Sequence, residues 1–236
     1  MKLGIMQPYL FPYLGYWQHI YAVDKYVVLD DVNYIMRGYI NRNTIMIGGK
    51  EYRFSIPIKK PSQNKLIMDT KLNFTDERKK DFLKTLEMAY KKAPFFQKIY
   101  ELIECIIMNH EDDLTEYIIY SIKEICKYLS IETPIQKSSQ IKKNDLLRGE
   151  ERIIEICKAL DADTYINPSG GRKLYSHERF KREQINLLFL DPDMDSIQYN
   201  QFGNEFINYL SIIDVMMFND VFQIRGFLEK YNLNEE

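Results

Sequence analysis

Two short apolar runs at the start of the chain flank a segment with helical spacing, and this pattern restricts the fold more than any other feature. Residues 2–6 (KLGIM) and 26–31 (YVVLDD) have the composition of strands, and residues 14–25 repeat apolar side chains at helical intervals. A strand, a helix and a second strand within about thirty residues form a βαβ unit with parallel strands. The sequence therefore predicts an α/β fold with a Rossmann-like, mostly parallel sheet.

The rest of the chain adds a β-hairpin and a helical insertion. Two β-rich runs in residues 44–58 flank Gly48 and Gly49, which accept the positive φ of a tight hairpin turn. Three helical patterns then follow one another, so we expect a helical insertion at about 75–130. The α/β pattern returns with a helix at 148–162, strands at 163–168 and 185–191, and two final helices at 210–219 and 220–232. Without an obvious linker, residues 1–236 are interpreted as a single α/β domain.

Charge and cysteine usage exclude several classes of protein. With 32 basic and 34 acidic residues the net charge is −2, so no overall field draws the chain to DNA or an anionic membrane. No apolar stretch reaches the ~20 residues that span a bilayer, and the first residues lack the pattern of a secretory signal. Cys105, Cys126 and Cys157 are far apart in helical patterns, as is typical of structural thiols in a reducing compartment. We therefore expect a cytoplasmic protein with neither a membrane nor DNA as a partner.

The loop after the first strand is unusually stiff and aromatic. Prolines fix φ, so the polar groups between them are held in place before a ligand arrives. Open α/β sheets bind ligands at the carboxyl edge of their strands, which is where this loop lies. We predict substrate binding by Gln7, Pro8, Tyr9 and Tyr13. The alternative is a loop that only plugs the end of the sheet.

Two adjacent carboxylates, Asp30 and Asp31, end the second strand. Neighbouring charges there are costly unless they are paired, solvated or bound to a cation. We predict that one of them is catalytic, as a base toward an amine. Mg²⁺ binding and a structural pairing with Arg37 or Arg42 are the alternatives. The polar residues that follow favour recognition of a polar ligand and are predicted to bind substrate: Asn33, Arg37, Asn41 and Arg42.

Two later loops supply groups for an anion. Lysines beside a serine suit a phosphate or a carboxylate, which predicts substrate binding by Lys59, Lys60 and Ser62, with plain surface as the alternative. Glycine pairs after a strand let backbone N–H groups approach an anion closely. In residues 167–176 this pattern predicts substrate binding by Asn167, Ser169, Gly170, Gly171 and Tyr175.

The histidines lack the spacing of a zinc site, and no P-loop, dinucleotide or GxSxG motif is present. We therefore expect no bound metal, and the residues indicate no particular cofactor. His177 closely follows the glycine loop and is a candidate acid or base. For His19, within the first helix, packing is the favoured interpretation.

Four segments carry a resemblance to a known family. They are QPYLFPYLGYWQHIYAVDKYVVLDDVNYIMRGYINRN (7–43), KKAPFF (91–96), TYINPSGG (164–171) and LSIIDVMMFN (210–219), and together they resemble the WbqC-like protein family along nearly the whole chain. That family occurs among bacterial genes for O-antigen and other surface polysaccharides, and some members are proposed to transfer glycine or another aminoacyl group to amino sugars. The resemblance implies functional positions at Gln7, Pro8, Tyr9, Asp30, Asp31, Arg37, Asn41, Arg42, Lys59, Lys60, Asn167, Gly170 and Gly171.

The opening βαβ unit is also faintly similar to the nucleotidylyltransferase superfamily. In that superfamily the loop after the first strand carries paired histidines that bind triphosphate. Here residues 12–16 (PYLGY) stand at the equivalent place without either histidine. This similarity therefore supports the α/β architecture and argues against nucleotidylyl transfer.

The residues and the resemblance together predict a transferase of bacterial surface-polysaccharide (O-antigen) biosynthesis. It would move an acyl or aminoacyl group, such as glycyl, to the amine of a nucleotide-linked amino sugar. Asp30 or Asp31 would act as the base, and Arg37, Arg42 and Lys59 would hold the diphosphate. Backbone N–H groups of the glycine loop would stabilise an oxyanion.

The donor and the presence of catalysis stay open. An aminoacyl-adenylate, an aminoacyl-tRNA and an acyl carrier all fit as donors. The alternative function is a non-catalytic protein of the same pathway that binds a sugar nucleotide or a partner enzyme. A third hypothesis, binding of a tRNA end, requires the lysines of residues 59–65 and 79–92 to form one basic face.

Overall fold

The computed structural model describes residues 1–235, and its centre is a six-stranded sheet covered by helices on both faces. The strands of the sheet are β1 (Lys2–Met6), β2 (Lys25–Val28), β5 (Ile135–Lys137), β6 (Thr164–Pro168), β7 (Asn186–Pro192) and β8 (Tyr231–Asn234). Their order is β5–β2–β1–β6–β7–β8, with only the last pairing antiparallel. The predicted α/β class with a mostly parallel sheet is confirmed.

A separate antiparallel hairpin is formed by β3 (Arg42–Ile47) and β4 (Lys50–Ser55). Gly48 and Gly49 make its turn with φ of +58° and +74°, the left-handed region that glycine adopts most readily. The hairpin predicted from these two glycines is therefore present.

Residues 1–235 contain eight α-helices. They are α1 (Leu14–Tyr21), α2 (Asp76–Tyr90), α3 (Phe96–Ile107), α4 (Leu114–Leu129), α5 (Gly149–Ala159), α6 (His177–Arg182), α7 (Ile212–Phe218) and α8 (Val221–Leu228). Helices α2, α3 and α4 lie between β4 and β5 in the chain, in the region predicted as a helical insertion. None of the helices within residues 1–235 combines the length and the apolar character that crossing a bilayer requires.

The sheet separates two hydrophobic cores, because alternate residues of a strand face opposite sides. Leu3 and Ile5 of β1 join a core formed with α5 and α6. On the opposite face, Gly4 lets α1 pack closely, since a β-carbon there would lie 3.0 Å from Nε2 of His19. The larger core on that side includes α1, α4, α7 and α8. Because helices cover both faces of the sheet, a ligand can approach it at its edges and at the ends of its strands.

The strand order creates a crevice at one position of the carboxyl edge. From β1 the chain proceeds outward to β2 and β5, whereas β6 and β7 lie on the other side of β1. Loops that follow β1 and β6 therefore diverge to opposite faces of the sheet. Open α/β sheets bind ligands at this switch point.

The structure corrects the sequence interpretation at the edges of the sheet. Residues 231–234 form β8 on the edge of β7, whereas the spacing predicts a helix through residue 232. Strand β5 was not expected, because its three residues show no periodicity of their own and are ordered by pairing with β2. The second strand ends at Val28 rather than at residue 31.

Candidate functional site

Side chains of α1 hold the two ends of the loop at residues 7–13. The hydroxyl of Tyr16 donates to the carbonyl of Gln7 at 3.0 Å. The indole N–H of Trp17 donates to the carbonyl of Pro12 at 3.0 Å. Both aromatic rings are buried, so the hydrogen bonds are protected from water.

The middle of the same loop is held by residues far along the chain. Nδ2 of Asn43, at the start of β3, donates to the carbonyls of Leu10 and Phe11 at 3.1 and 2.6 Å. The Ser211 hydroxyl, which also caps α7, donates to the carbonyl of Phe11 at 2.7 Å. Phe11 itself has φ of 43°, a conformation that a non-glycine residue keeps only when its surroundings fix it. The loop is therefore preorganised, as its prolines predict.

The glycine loop forms a short 3₁₀ helix, Ser169–Leu174, directly after β6. Asn167 at the end of β6 is buried and accepts a hydrogen bond from the Tyr165 hydroxyl at 2.8 Å. Its Nδ2 donates to the carbonyl of Pro168 at 2.7 Å. The Asn167 amide is thus fixed at the point where the loop leaves the sheet.

An ion pair ties the glycine loop to the neighbouring strand β7. The guanidinium of Arg172 forms two hydrogen bonds with the carboxylate of Asp191, one of them 3.1 Å long. Asn234 of β8 donates to the same carboxylate at 2.8 Å. The Arg172 hydrogen bonds lower the pKa of Asp191 to about 2 against a smaller opposing effect of burial, and Asn234 adds to the decrease. The Arg172 charge is therefore neutralised within the fold.

A cavity of about 670 Å³ lies at the carboxyl edge of the sheet, between these two loops. Its polar lining consists of phenols, amides and a hydroxyl: Gln7, Tyr9, Tyr13, Tyr39, Asn43, Asn167, Ser169, Tyr175 and Tyr209. Its apolar lining includes Ile5, Leu29, Ile153, Leu174 and Leu190, and the backbone of Gly170 and Gly171 completes the wall. Of the described residues that line the cavity, none is acidic, basic or a histidine. The lining thus offers neutral hydrogen-bonding groups and hydrocarbon.

Four tyrosines of the cavity lie in two groups of contacting rings. Tyr9 stacks on Tyr16 with ring centroids 5.6 Å apart and meets Tyr39 at 6.1 Å, while Tyr13 meets Tyr209 at 5.8 Å. Burial, reinforced by Tyr9 and Tyr209, raises the pKa of Tyr13 to about 12. Burial and Tyr39 also raise the pKa of Tyr9. These phenols therefore stay protonated at neutral pH and offer neutral hydrogen-bond donors.

The carboxylates of Asp30 and Asp31 do not line this cavity. Asp30 is buried and accepts hydrogen bonds from the hydroxyls of Ser138 and Ser139 at 3.1 and 2.6 Å and from the Ser139 backbone N–H at 2.9 Å. The two carboxylates therefore belong to a buried polar network with the segment after β5. A catalytic role for Asp30 or Asp31 stays a prediction.

Asp31 is paired with two cations in the same network. Its carboxylate lies 2.6 Å from Nζ of Lys143 and 3.3 Å from Nη1 of Arg152, which also donates to the Asp31 carbonyl at 2.6 Å. Burial raises the pKa of Asp31, but hydrogen bonds from Lys143 and Ser138 and the two positive charges outweigh it, so the pKa is lowered. The sequence interpretation named Arg37 and Arg42 as structural partners. The actual partners lie more than a hundred positions further along the chain.

The structure brings about half of the predicted site residues to the cavity and leaves the others outside it. Those lining the cavity are Gln7, Tyr9, Tyr13, Asn167, Ser169, Gly170, Gly171 and Tyr175. Those outside its lining are Pro8, Asn33, Arg37, Asn41, Arg42, Lys59, Lys60, Ser62 and His177, together with the two aspartates.

Several of the outlying residues have other surroundings. Pro8 is buried, and His177 is exposed at the start of α6, with its ring 5.6 Å from that of Phe189. Lys59 is exposed and lies 3.8 Å from Asp112. Asn41 bridges the Tyr34 hydroxyl and a hairpin carbonyl. Their predicted roles in catalysis or substrate binding stay predictions.

Sequence reasoning did not single out Tyr39, Tyr209, Leu174 and Ile153 as residues of the site. Tyr39 and Tyr209 lie inside or beside the segments that carry the family resemblance, and both are exposed aromatics. Tyrosines inside or beside such segments are the signal that could have found them, because a tyrosine supplies both packing area and a hydroxyl. Ile153 lies in an ordinary amphipathic helix, which offers no such signal.

One comparison finds a relative of similar length. The uncharacterized protein Rv1507c from Mycobacterium tuberculosis is 27% identical over 218 residues, which cover 91% of this chain and 92% of the relative. No solved structure matches the chain. The pattern of the WbqC-like protein family matches residues 7–225, a span that contains both loops of the cavity and all of its tyrosines. The chain belongs to the WbqC-like protein family.

Proposed function

We propose that this protein binds a nucleotide-linked amino sugar in the cavity and transfers an acyl or aminoacyl group to its amine, in bacterial surface-polysaccharide synthesis. The observation that carries the proposal is the neutral cavity at the switch point of the sheet, lined by tyrosines and amides. Sugars are neutral and rich in hydroxyls, so phenols and amides can bind them by stacking and by hydrogen bonds. The preorganised loop at residues 7–13 lowers the entropic cost of that binding.

The absence of charge along the described lining also favours the chemistry. An amine must lose its proton before it attacks a carbonyl carbon. In a site without a carboxylate in its lining, a bound ammonium gains no ion pair to offset the hydration that it loses, so the pKa of the bound amine falls. The cavity thus favours the nucleophilic free amine, and its rigid walls can hold donor and acceptor in reacting geometry.

The diphosphate of such a substrate would lie at the rim, close to two arginines. The Arg42 guanidinium lies 5.8 Å from the ring centroid of Tyr39, a residue of the cavity. Its Nε is buried and has no hydrogen-bond partner among the described residues. Arg37 is exposed between Ile35 and Tyr39, which both line the cavity. Arginine suits phosphate because its planar fork donates two parallel hydrogen bonds.

Titration with amino sugars linked to uridine and thymidine diphosphates tests the binding step. The N-acetylated form of each compound serves as the matched ligand without a free amine. Tyr13→Phe removes one hydroxyl from the cavity and should weaken binding by about fivefold, the value of one neutral hydrogen bond. Tyr52→Phe, on the exposed surface of the hairpin, is the control and should bind as the wild type does. Unchanged affinity in the Tyr13 variant would contradict the assigned position of the sugar.

Mass spectrometry tests the transfer step. The protein is incubated with each amino sugar nucleotide and with acyl thioesters, aminoacyl-adenylates or aminoacyl-tRNA. A product heavier by the acyl group, absent with the N-acetylated sugar, would support transfer to the amine. Binding without any product would contradict it.

A non-catalytic sugar-nucleotide binding protein is the second candidate. It is favoured by the position of Asp30 and Asp31, which are engaged in a buried network outside the cavity lining. In that case the chain would hold the sugar nucleotide for a partner enzyme. Affinity for the amino sugar and for its N-acetylated form would then be similar, because no free amine is needed.

A further inference from the structure

The cavity has two chemically different walls. Tyr9, Tyr13 and Asn43 line the side that faces the larger core, where Tyr9 packs. The other side carries hydrocarbon from the core beneath α5, to which Ile5 and Ile153 belong, together with Tyr175, which packs against the same core.

Two further side chains continue the hydrocarbon side. Leu29 lines the cavity and packs against the same core. Leu174 lines the cavity at the end of the glycine loop and is 70% exposed. The apolar wall, defined as Ile5, Leu29, Ile153 and Leu174, thus runs from the sheet to the surface.

A sugar nucleotide bound in the cavity has no group that would pack favourably against the apolar wall. Sugar hydroxyls gain nothing from hydrocarbon and lose hydration when placed against it. Leu174 carries this hydrocarbon to the mouth of the cavity, where a bound ligand would cover it. The wall therefore indicates a second, apolar group in the same cavity.

We infer that the apolar wall receives the hydrocarbon chain of an acyl thioester, so that the donor carries an apolar acyl group rather than glycyl. This inference rests on the proposed function, since it names the donor class of that reaction. An aminoacyl donor would bring an ammonium group against hydrocarbon with no carboxylate in the lining to pair it. An acyl-adenylate would bring a phosphate directly beside the reacting carbonyl.

A thioester on a phosphopantetheine arm avoids both problems. The arm is neutral over most of its length, and its phosphate is far from the carbonyl. Lys173 is exposed and precedes Leu174 in the chain, so it supplies a cation for that phosphate next to the outer end of the wall. The sugar amine attacks the thioester carbonyl, a C–N bond forms, the C–S bond breaks, and the thiol leaves with the proton of the amine. No oxidant, reductant or further reactant is needed.

Calorimetric titration with pantetheine thioesters measures how much the apolar wall contributes to the affinity for the acyl chain. The probes are acetyl-, butyryl-, hexanoyl- and glycyl-pantetheine. Each added methylene that contacts hydrocarbon should tighten binding by about three- to fourfold until the wall is covered. Glycyl-pantetheine should bind more weakly than butyryl-pantetheine. Equal affinities across the chain lengths, or tighter binding of the glycyl probe, would overturn the inference.

Leu174→Ser tests the wall directly, because the side chain is exposed and its loss should leave the fold intact. The substitution should reduce, by about fivefold or more, the gain in affinity from acetyl-pantetheine to hexanoyl-pantetheine. Leu146→Ser is the matched control, since Leu146 is 84% exposed and lies outside the cavity. Ile153→Phe places a larger side chain in the apolar wall and should shorten the space for the acyl chain. The affinity for hexanoyl-pantetheine should then fall, while the affinity for acetyl-pantetheine stays the same. Should that variant unfold, Leu29→Ser replaces it.

The sugar-nucleotide titration separates this inference from the proposed function. If affinity rises with acyl chain length but no sugar nucleotide binds, the result would support acyl binding at the apolar wall and contradict the proposed acceptor. Sugar-nucleotide binding without chain-length dependence would overturn only the donor class. Coenzyme A and a carrier protein share the phosphopantetheine thioester, so hexanoyl-coenzyme A and a hexanoyl carrier protein are compared as donors. The more reactive of the two identifies the source.

Discussion

A β-carbon added to Gly171 would lie 2.1 Å from Nδ2 of Asn167, closer than two nonbonded atoms can approach. The side chain of Asn167 is itself fixed by Tyr165 and by the carbonyl of Pro168. Gly171→Ala should therefore displace the wall of the cavity and destabilise the protein by about 1–3 kcal/mol, the usual cost of overpacking. Thermal unfolding measures the stability, and titration with the sugar nucleotide measures the loss of affinity.

The adjacent glycine is the control for this change. A β-carbon on Gly170 meets nothing within 4 Å, so Gly170→Ala should stay within about 0.5 kcal/mol of the wild type. Equal effects of the two substitutions would contradict the steric explanation.

Asn43 should be essential for the shape of the loop at residues 7–13. Asn43→Ala removes both hydrogen bonds to the buried carbonyls of Leu10 and Phe11. The Phe11 carbonyl keeps its hydrogen bond from Ser211, whereas the buried Leu10 carbonyl loses its donor, so we expect a loss of about 1–3 kcal/mol in the free energy of unfolding. Urea denaturation measures it. Asn33→Ala, at an exposed position, provides the control. An equally large loss of stability there would argue against a specific role of Asn43 in holding the loop at residues 7–13.

Asp31 should matter for stability whether or not it takes part in catalysis. The side chains of Lys143 and Arg152 are 1% and 5% exposed, so Asp31→Asn removes the buried counterion of both and leaves Lys143 only the exposed Asp145, 3.8 Å away. Breaking such a pair costs about 3–5 kcal/mol. Denaturant unfolding should show this loss, while exposed Asp195→Asn should be neutral. An Asp31→Asn protein with normal stability and no transfer activity would instead support the predicted role as a base.

The buried His19 predicts sensitivity to mild acid. Burial lowers its pKa from 6.5 to about 4, although the hydrogen bond to the Ile166 carbonyl opposes the shift. Between pH 6.5 and 4 the unfolded chain binds a proton at this residue and the folded protein does not, so stability falls as the pH falls. Between pH 7 and pH 5 this amounts to about 2 kcal/mol.

Urea denaturation at pH 7 and pH 5 tests the His19 prediction. His19→Gln should remove most of the difference between the two pH values. His110→Gln is the control at an exposed position and should behave as the wild type. Retention of the full pH dependence in the His19 variant would rule this residue out as its source.

The sequence predicts those parts of the fold that local patterns determine. The βαβ opening, the Gly48–Gly49 hairpin and the insertion helices follow from periodicity and turn chemistry, and all are present. Strands β5 and β8 have weak patterns of their own, because pairing with β2 and β7 orders them. Tertiary contact, rather than local preference, determines those segments.

The candidate site divides in the same way. The two unusual loops could be assigned to one edge of the sheet, because parallel strands end on the same side. The surroundings of Asp31 could not be predicted, since Lys143 and Arg152 approach it only after β5 and α5 have packed. The sequence around Ile153 likewise shows an ordinary amphipathic helix and does not indicate that this residue lines a cavity. Long-range packing decides which polar residues meet the ligand and which stabilise the fold.

The central position of β1 has a consequence for biosynthesis. Its register with β6 pairs Lys2 with Thr164, so during synthesis one edge of β1 stays unpaired until β6 has also been made. A nascent apolar strand with an open edge is a target for chaperones and a site of premature association. Because both walls of the cavity also depend on that late pairing, a small molecule that occupies it should report the pairing of β1 with β6 and leave translation products that end before β6 unlabelled.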